Sequence, residues 1–389
     1  MNRARRAVVG AVSTTTVSVL PVFLTAGLTV QISAELGFDP AGLGLVVALY
    51  FAVSAFASLP CGRLVERYGA GPTSRIAVVG AAVVMAAVAL FARSYAGLVL
   101  ILVSSSWCNV LGQLSANLTL SRYAPAGRMG LSFGVKQAAI PLATLLAGLA
   151  VPAVALTVGW RWAFVIGAGV ALAALPVAPR DTAGREPTPR TPGERATGAL
   201  SVIAVAAGLA AASSSTLGIF LVASAVDQGV DAATAGLTLT LGSLVGLTMR
   251  LAHGWAADRR SGAHVAVVSG SLVLGAGGLA LLAVPGVPTL VIGTVLGFGL
   301  GWAWPGLLQF AVVRLNPSAP AAATSIVQVG VYGGGFLGPV GFGFLATHLS
   351  FATAWLVGAG TMLVAAVLMV VGRQMLVAHR AARETPAPA

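Results

Sequence analysis

One lysine, two cysteines and four histidines are spread over 389 residues, and charged side chains make up only 8% of the chain. So little charge excludes a water-facing globular surface, since soluble domains carry about 25% charged residues. Cys61 and Cys108 fall in or beside apolar runs, which excludes a disulfide framework and leaves small apolar filler as their reading. His253, His264, His348 and His379 have no acid or cysteine arranged with them as a metal site or hydrolytic triad requires. No metal, no cofactor and no enzyme activity is therefore expected. Acids number ten against 22 bases, and each lies in a loop, a tail or the edge of an apolar run. A mid-membrane carboxylate able to carry a proton is thus not expected.

What is present in quantity is apolar: 57% of residues are hydrophobic and the mean hydropathy is +0.94. Runs of about 20 such residues recur, enough for a helix to cross a hydrocarbon core of about 30 Å. Spans are predicted at 8–30, 41–61, 76–92, 96–120, 130–152 and 160–178, then at 199–224, 233–253, 264–284, 287–312, 320–346 and 350–376. Met1 to Arg6 before the first run imitates a secretory signal, but no soluble segment follows for release, so that run is read as the first span. The expected fold is an all-α membrane protein: a six-helix bundle over 1–178, a Pro-rich cytoplasmic linker over 179–198, a second six-helix bundle over 199–376, and a tail over 377–389. From Arg373 the chain is basic, then Pro-rich, and is expected to lack structure.

The net charge of +12 does not imply a nucleic-acid partner, because the bases are dispersed between apolar runs. Nineteen of the 22 fall on one side of this topology, Arg93 and Arg161 fall on the other, and Lys136 lies inside a span. That bias predicts cytoplasmic termini in a cell inner (plasma) membrane.

The halves repeat. Gly62-Arg63-Leu64-Val65-Glu66-Arg67 aligns with Gly254-Trp255-Ala256-Ala257-Asp258-Arg259 at an offset of 192, as do Arg122 and Pro125 with Arg314 and Pro317. Gln137 aligns with Gln328 at 191. With six spans per copy, the repeats are parallel. The loop after the second span, with Gly62, Glu66, Arg67 and Gly69, resembles the signature of the major facilitator superfamily, with Glu for the commoner Asp, and Gly254, Asp258 and Arg259 form a looser second copy. The resemblance covers essentially the whole chain. It implies a cavity between two bundles that opens alternately to each side, lined by the first, fourth, seventh and tenth spans. It also implies a gating latch formed by Glu66 with Arg67 and Asp258 with Arg259.

Polar side chains in hydrocarbon are expected to face a cavity or another helix. In the fourth span Ser105, Asn109, Gln113 and Asn117 recur every four residues, one stripe of a helix. Thr14, Ser18 and Thr25 lie in the first span and Ser213 to Thr216 in the seventh, where hydroxyls can also bond their own backbone. The tenth span brings Trp302, Trp304 and Gln309, with Pro305 expected to bend it. Lys136 in the fifth span and Arg250 in the eighth are the intramembrane cations. Arg250 followed by Gly254 resembles monocarboxylate transporters, where such an arginine is tied to substrate anions, although their companion acid is absent here.

The substrate-site candidates are Lys136, Arg250, Asn109, Gln113, Gln137, Trp302, Trp304, Gln328 and Tyr332. Cations without membrane carboxylates favour transport of a small organic or inorganic anion. The same-class alternative is efflux of neutral or weakly basic organic compounds through an aromatic cavity of Trp107, Trp302, Trp304 and Tyr332. A non-transporting membrane sensor is the remote alternative. The partners implied are a small-molecule substrate and the lipid bilayer, with a coupling ion left open.

Overall fold

Apolar helices account for most of the chain, and no β-strand occurs among the described residues. The computed structural model describes residues 3–384 apart from 39, 126, 180–196, 231, 261 and 318. Most of the expected linker, and the last five residues of the tail, lie outside the described residues. Eleven described helical stretches are long and apolar enough to cross a membrane. The 27-residue helix Ala232–Asp258 stands where the eighth span is expected. Side chains such as Phe56 (82% exposed), Leu100 (71%) and Phe91 (70%) sit on outer faces, as lipid rather than water permits. The protein is a multi-pass, all-α membrane protein.

The chain clusters into two compact units. The first, Met1–Glu186 with Pro317–Ser325, contains α1 (Arg3–Gly27), α2 (Thr29–Leu36), α3 (Pro40–Tyr68), α4 (Ala70–Phe91), α5 (Tyr95–Ser104), α6 (Ser106–Tyr123), α7 (Met129–Gln137), α8 (Ala139–Ala150) and α9 (Trp160–Ala174). Leu20, Leu24, Val78, Met85, Val88 and Phe164 belong to its buried core. The second, Pro187–Asn316 with Ile326–Ala389, contains α10 (Thr197–Asp227), α11 (Ala232–Asp258), α12 (His264–Leu282), α13 (Val287–Leu296), α14 (Trp304–Leu315), most of α15 (Pro320–His348), and α16 (Phe351–Glu384).

Three spans are interrupted, each for a local chemical reason. Between α5 and α6, Ser104, Ser105 and Ser106 donate their hydroxyls to the carbonyls of Ile101, Leu102 and Val103 at 2.7, 2.6 and 2.7 Å. These bonds compete with the helical ladder. Between α7 and α8, Pro141 has no N–H to offer the Gln137 carbonyl four residues back, and the helix breaks at Ala138. Between α13 and α14 the chain passes through a π-helical turn, Gly297–Gly301, before Pro305 opens the next helix. Ser105 and Gly297 differ by the repeat offset of 192, so both fourth spans break at corresponding positions.

Two expectations are corrected. Gly62 to Tyr68 is the last part of α3, not a loop, and Gly254 to Asp258 likewise ends α11. Arg, Leu, Glu and Ala keep these stretches helical, and α3 ends only before Gly69, whose φ of +81° favours a residue without a Cβ. The region after Arg373 is not structureless, since α16 continues to Glu384 through Val-Ala-His-Arg-Ala-Ala-Arg-Glu, a run rich in helix formers.

Candidate substrate site

In the first unit α1, α6 and α7 pack against one another. Gly112 makes the close approach of α1 possible, because a Cβ there would fall against Ser18 Oγ and 3.5 Å from the Thr14 carbonyl. On the α6 face that carries the amide stripe, Asn109, Gln113 and Asn117 are all buried. From α7, Lys136 is 0% exposed and its Nζ donates a hydrogen bond to Gln113 Oε1. The stripe and the single lysine of the sequence are thus brought together, with Gln137 buried beside them.

The hydroxyls divide into two groups. Ser18, Thr25, Ser105, Ser213, Ser214, Ser215 and Thr216 donate to carbonyls three or four residues back, which satisfies them within their own helices. Thr14 is different: its Oγ1 is buried with no hydrogen-bond partner.

In the second unit the fourth and fifth spans are also tied by a buried polar bond, here amide to amide, with Gln309 Nε2 donating to Gln328 Oε1 at 3.2 Å. Arg250, 8% exposed, points its Nη2 at the Trp302 carbonyl at 3.4 Å and holds its guanidinium carbon 5.8 Å from the Trp302 ring centroid. That carbonyl is available because the helix is broken there, so Arg250 caps the interruption while remaining a buried cation. Trp304 and Tyr332 are both buried. Trp107, in the first unit, leans over Gly80 of α4 and is 39% exposed, an orientation set by the α4 side of α6 and not by the amide stripe.

The signature residues form a separate cluster. Glu66 Oε1 accepts hydrogen bonds from the backbone N–H groups of Ala321 and Ala322 at 2.8 and 3.1 Å. It therefore caps the start of α15 with a negative charge, where the helix dipole is positive. Gly62 lets the helices close, since a Cβ there would lie 2.5 Å from Ser325 Oγ. Arg67 lies over Tyr68 and Arg259 over Trp255, the latter 3.6 Å from the ring centroid. Sequence reasoning identified Glu66 but not its donors; Pro317 and Pro320, which mark a helix start, were the available signal.

A third cluster was not foreseen. Glu35 Oε2 accepts from Trp160 Nε1 at 2.8 Å and from Arg161 Nη1 at 2.6 Å, while Arg161 Nη2 donates to the Ala92 carbonyl at 3.0 Å. The bond from Arg161, and then that from Trp160, hold the Glu35 carboxyl below its ordinary value of 4.5.

Interrupted apolar helices that carry buried amides and cations define a polytopic membrane protein. The family model of the Major Facilitator Superfamily matches residues 7–202 and again 203–388. The chain belongs to that superfamily. Among solved structures it is similar to the human organic anion transporter MFSD10 (TETRAN), with TM-score 0.74 and 14% identity over 95% of this chain and 100% of that one. It is also similar to the Major Facilitator Superfamily transporter FucP in the outward conformation, with TM-score 0.69 and 14% identity over 95% and 98%. No curated protein sequence matches it significantly.

Proposed function

We propose that this transporter moves a small anion, organic or inorganic, across the plasma membrane by alternating access, and that it is not an enzyme. The carrying observation is the fully buried Lys136 ammonium on the polar face shared by α1, α6 and α7. Burying a cation is costly, and its field favours a negatively charged solute over a neutral or positive one. That the fold neighbour MFSD10 is an organic anion transporter supports the reading. In it, Lys136 reads the charge and Asn109, Gln113 and Gln137 line the site in the first unit, while Arg250, Trp302, Trp304, Gln328 and Tyr332 are the substrate-contact candidates of the second unit taken by itself. Glu66 with Arg67, and Asp258 with Arg259, act as the gating latch, to which the Glu66 cap on α15 lends support. The bundles span 1–178 and 199–376, joined by a linker at 179–198 and followed by a tail at 377–389, with both termini cytoplasmic.

Efflux of neutral or weakly basic compounds is the second reading, favoured by the aromatic residues around the α13 to α14 interruption. A thermal-shift screen of the purified protein separates the two, because a ligand raises the stability of the state it binds. Small carboxylates and inorganic anions should raise the melting temperature of the wild type and not that of Lys136→Gln. Stabilisation of both proteins by amphipathic cations, with none by anions, would replace the anion reading with the efflux one.

A further inference from the structure

We infer that Asn117 is a specificity-determining residue of this site, and that the anion it selects is a small hydroxylated carboxylate rather than a lipophilic one. The inference rests on the anion reading above and adds the chemistry of the rest of the substrate.

Asn117 is 0% exposed, and neither Oδ1 nor Nδ2 has a hydrogen-bond partner. A primary amide offers two donors and two acceptor sites, and leaving all of them empty in an apolar interior is unfavourable. Asn117 lies one turn from Gln113 on the same α6 face, about 5–6 Å between Cβ atoms, and Gln113 is the residue that receives the Lys136 bond. A ligand with its carboxylate at Lys136 and a hydroxyl one helical turn away fits that spacing, which corresponds to a chain of a few carbons.

The repeat supplies an internal control. Adding the offset of 192 to Asn117 gives Gln309, and Gln309 is bonded to Gln328, the counterpart of Gln137. The second unit closes its amide on a protein partner, whereas the first leaves Asn117 open. From α1, the Thr14 and Thr15 hydroxyls are also buried, at 1% and 0% exposure, without partners. Ser18, on the same turn, is satisfied by the Thr14 carbonyl at 2.6 Å. Hydroxyl and amide groups both donate and accept, which complements a substrate hydroxyl and offers nothing to a methyl group.

The test uses matched carboxylates of equal carbon number, glycerate against propionate and tartrate against succinate, binding to the purified full-length protein in lipid nanodiscs. Glycerate should bind at least tenfold more tightly than propionate, and tartrate than succinate. Asn117→Leu should shrink both ratios below about threefold, while Asn117→Ser, which keeps a hydroxyl, should retain more of the preference. Thr14→Val provides a second, independent reduction. Equal binding of the members of each pair by wild type would overturn the inference while leaving the anion reading standing, and that comparison needs no variant to fold. An undiminished preference in folded Asn117→Leu would also overturn it. Absence of binding by all four carboxylates would sink the anion reading and this inference together.

Discussion

At the scale of single residues, the amide stripe of α6 was legible because a four-residue spacing can only be one face of a helix. Lys136 was legible because a lone lysine in an apolar run has few explanations. Its bond to Gln113 was not, since spacing along one helix says nothing of which neighbour approaches it. Nor was the Arg250 contact, whose acceptor is the backbone carbonyl of Trp302 and so leaves no mark in side-chain pattern. The Glu35 cluster escaped for a related reason: its members lie 125 and 126 positions apart. It carries its own prediction. With the Glu35 carboxyl held below 4.5, the unfolded chain binds the proton more readily, so the stabilisation is present above that value and is lost as pH falls through the lower folded one. The pair is partly exposed, which limits it to about 1 kcal/mol or less. Glu35→Gln should melt below wild type at pH 7, and the difference should shrink as the pH is lowered below 4.5. A difference unchanged as the pH falls would remove the carboxylate from the account.

At the scale of elements, α10 and α15 meet backbone to backbone. Gly330, Gly334 and Gly338 of α15 sit against the carbonyls of Ala204, Gly208 and Ala212 of α10, and a Cβ on Gly208 would lie 2.9 Å from the Gly330 oxygen. Small residues at intervals of four allow this approach, and in a bilayer such packing takes the place of hydrophobic association. Gly334→Ala should therefore destabilise the protein by about 1–3 kcal/mol through overpacking and lower its melting temperature. Gly333→Ala and Gly341→Ala, where a Cβ meets nothing within 4 Å, should be close to neutral. Equal melting of all three variants would show that the helices are not in contact along this stripe. The glycine spacing was visible in the sequence, but its partner helix was not. The signature was read as a loop because the second span was expected to stop at 61, whereas Gly62 serves close packing and only Gly69 ends the helix.

At the scale of the molecule, hydropathy and the repeat were enough to predict a twelve-span transporter fold, because both depend on long stretches rather than on single contacts. Orientation follows from charge bias and can be tested with cysteines in a background lacking Cys61 and Cys108. Asp227, the last residue of α10, and Arg260, two residues past the end of α11, are both exposed and suit this purpose, and Gly229 does not, since its φ of +86° disfavours a cysteine. On intact cells an impermeant thiol reagent should label Asp227→Cys and spare Arg260→Cys, and the reverse pattern would invert the topology. The central claim is that Lys136 reads a substrate charge, and uptake of a labelled small carboxylate into proteoliposomes tests it most directly. Lys136→Gln should weaken uptake at least tenfold, about 1.4 kcal/mol, and Lys136→Arg should keep more activity than Gln while falling short of wild type, because the guanidinium retains charge with a different geometry. Wild-type affinity in folded Lys136→Gln would contradict the account.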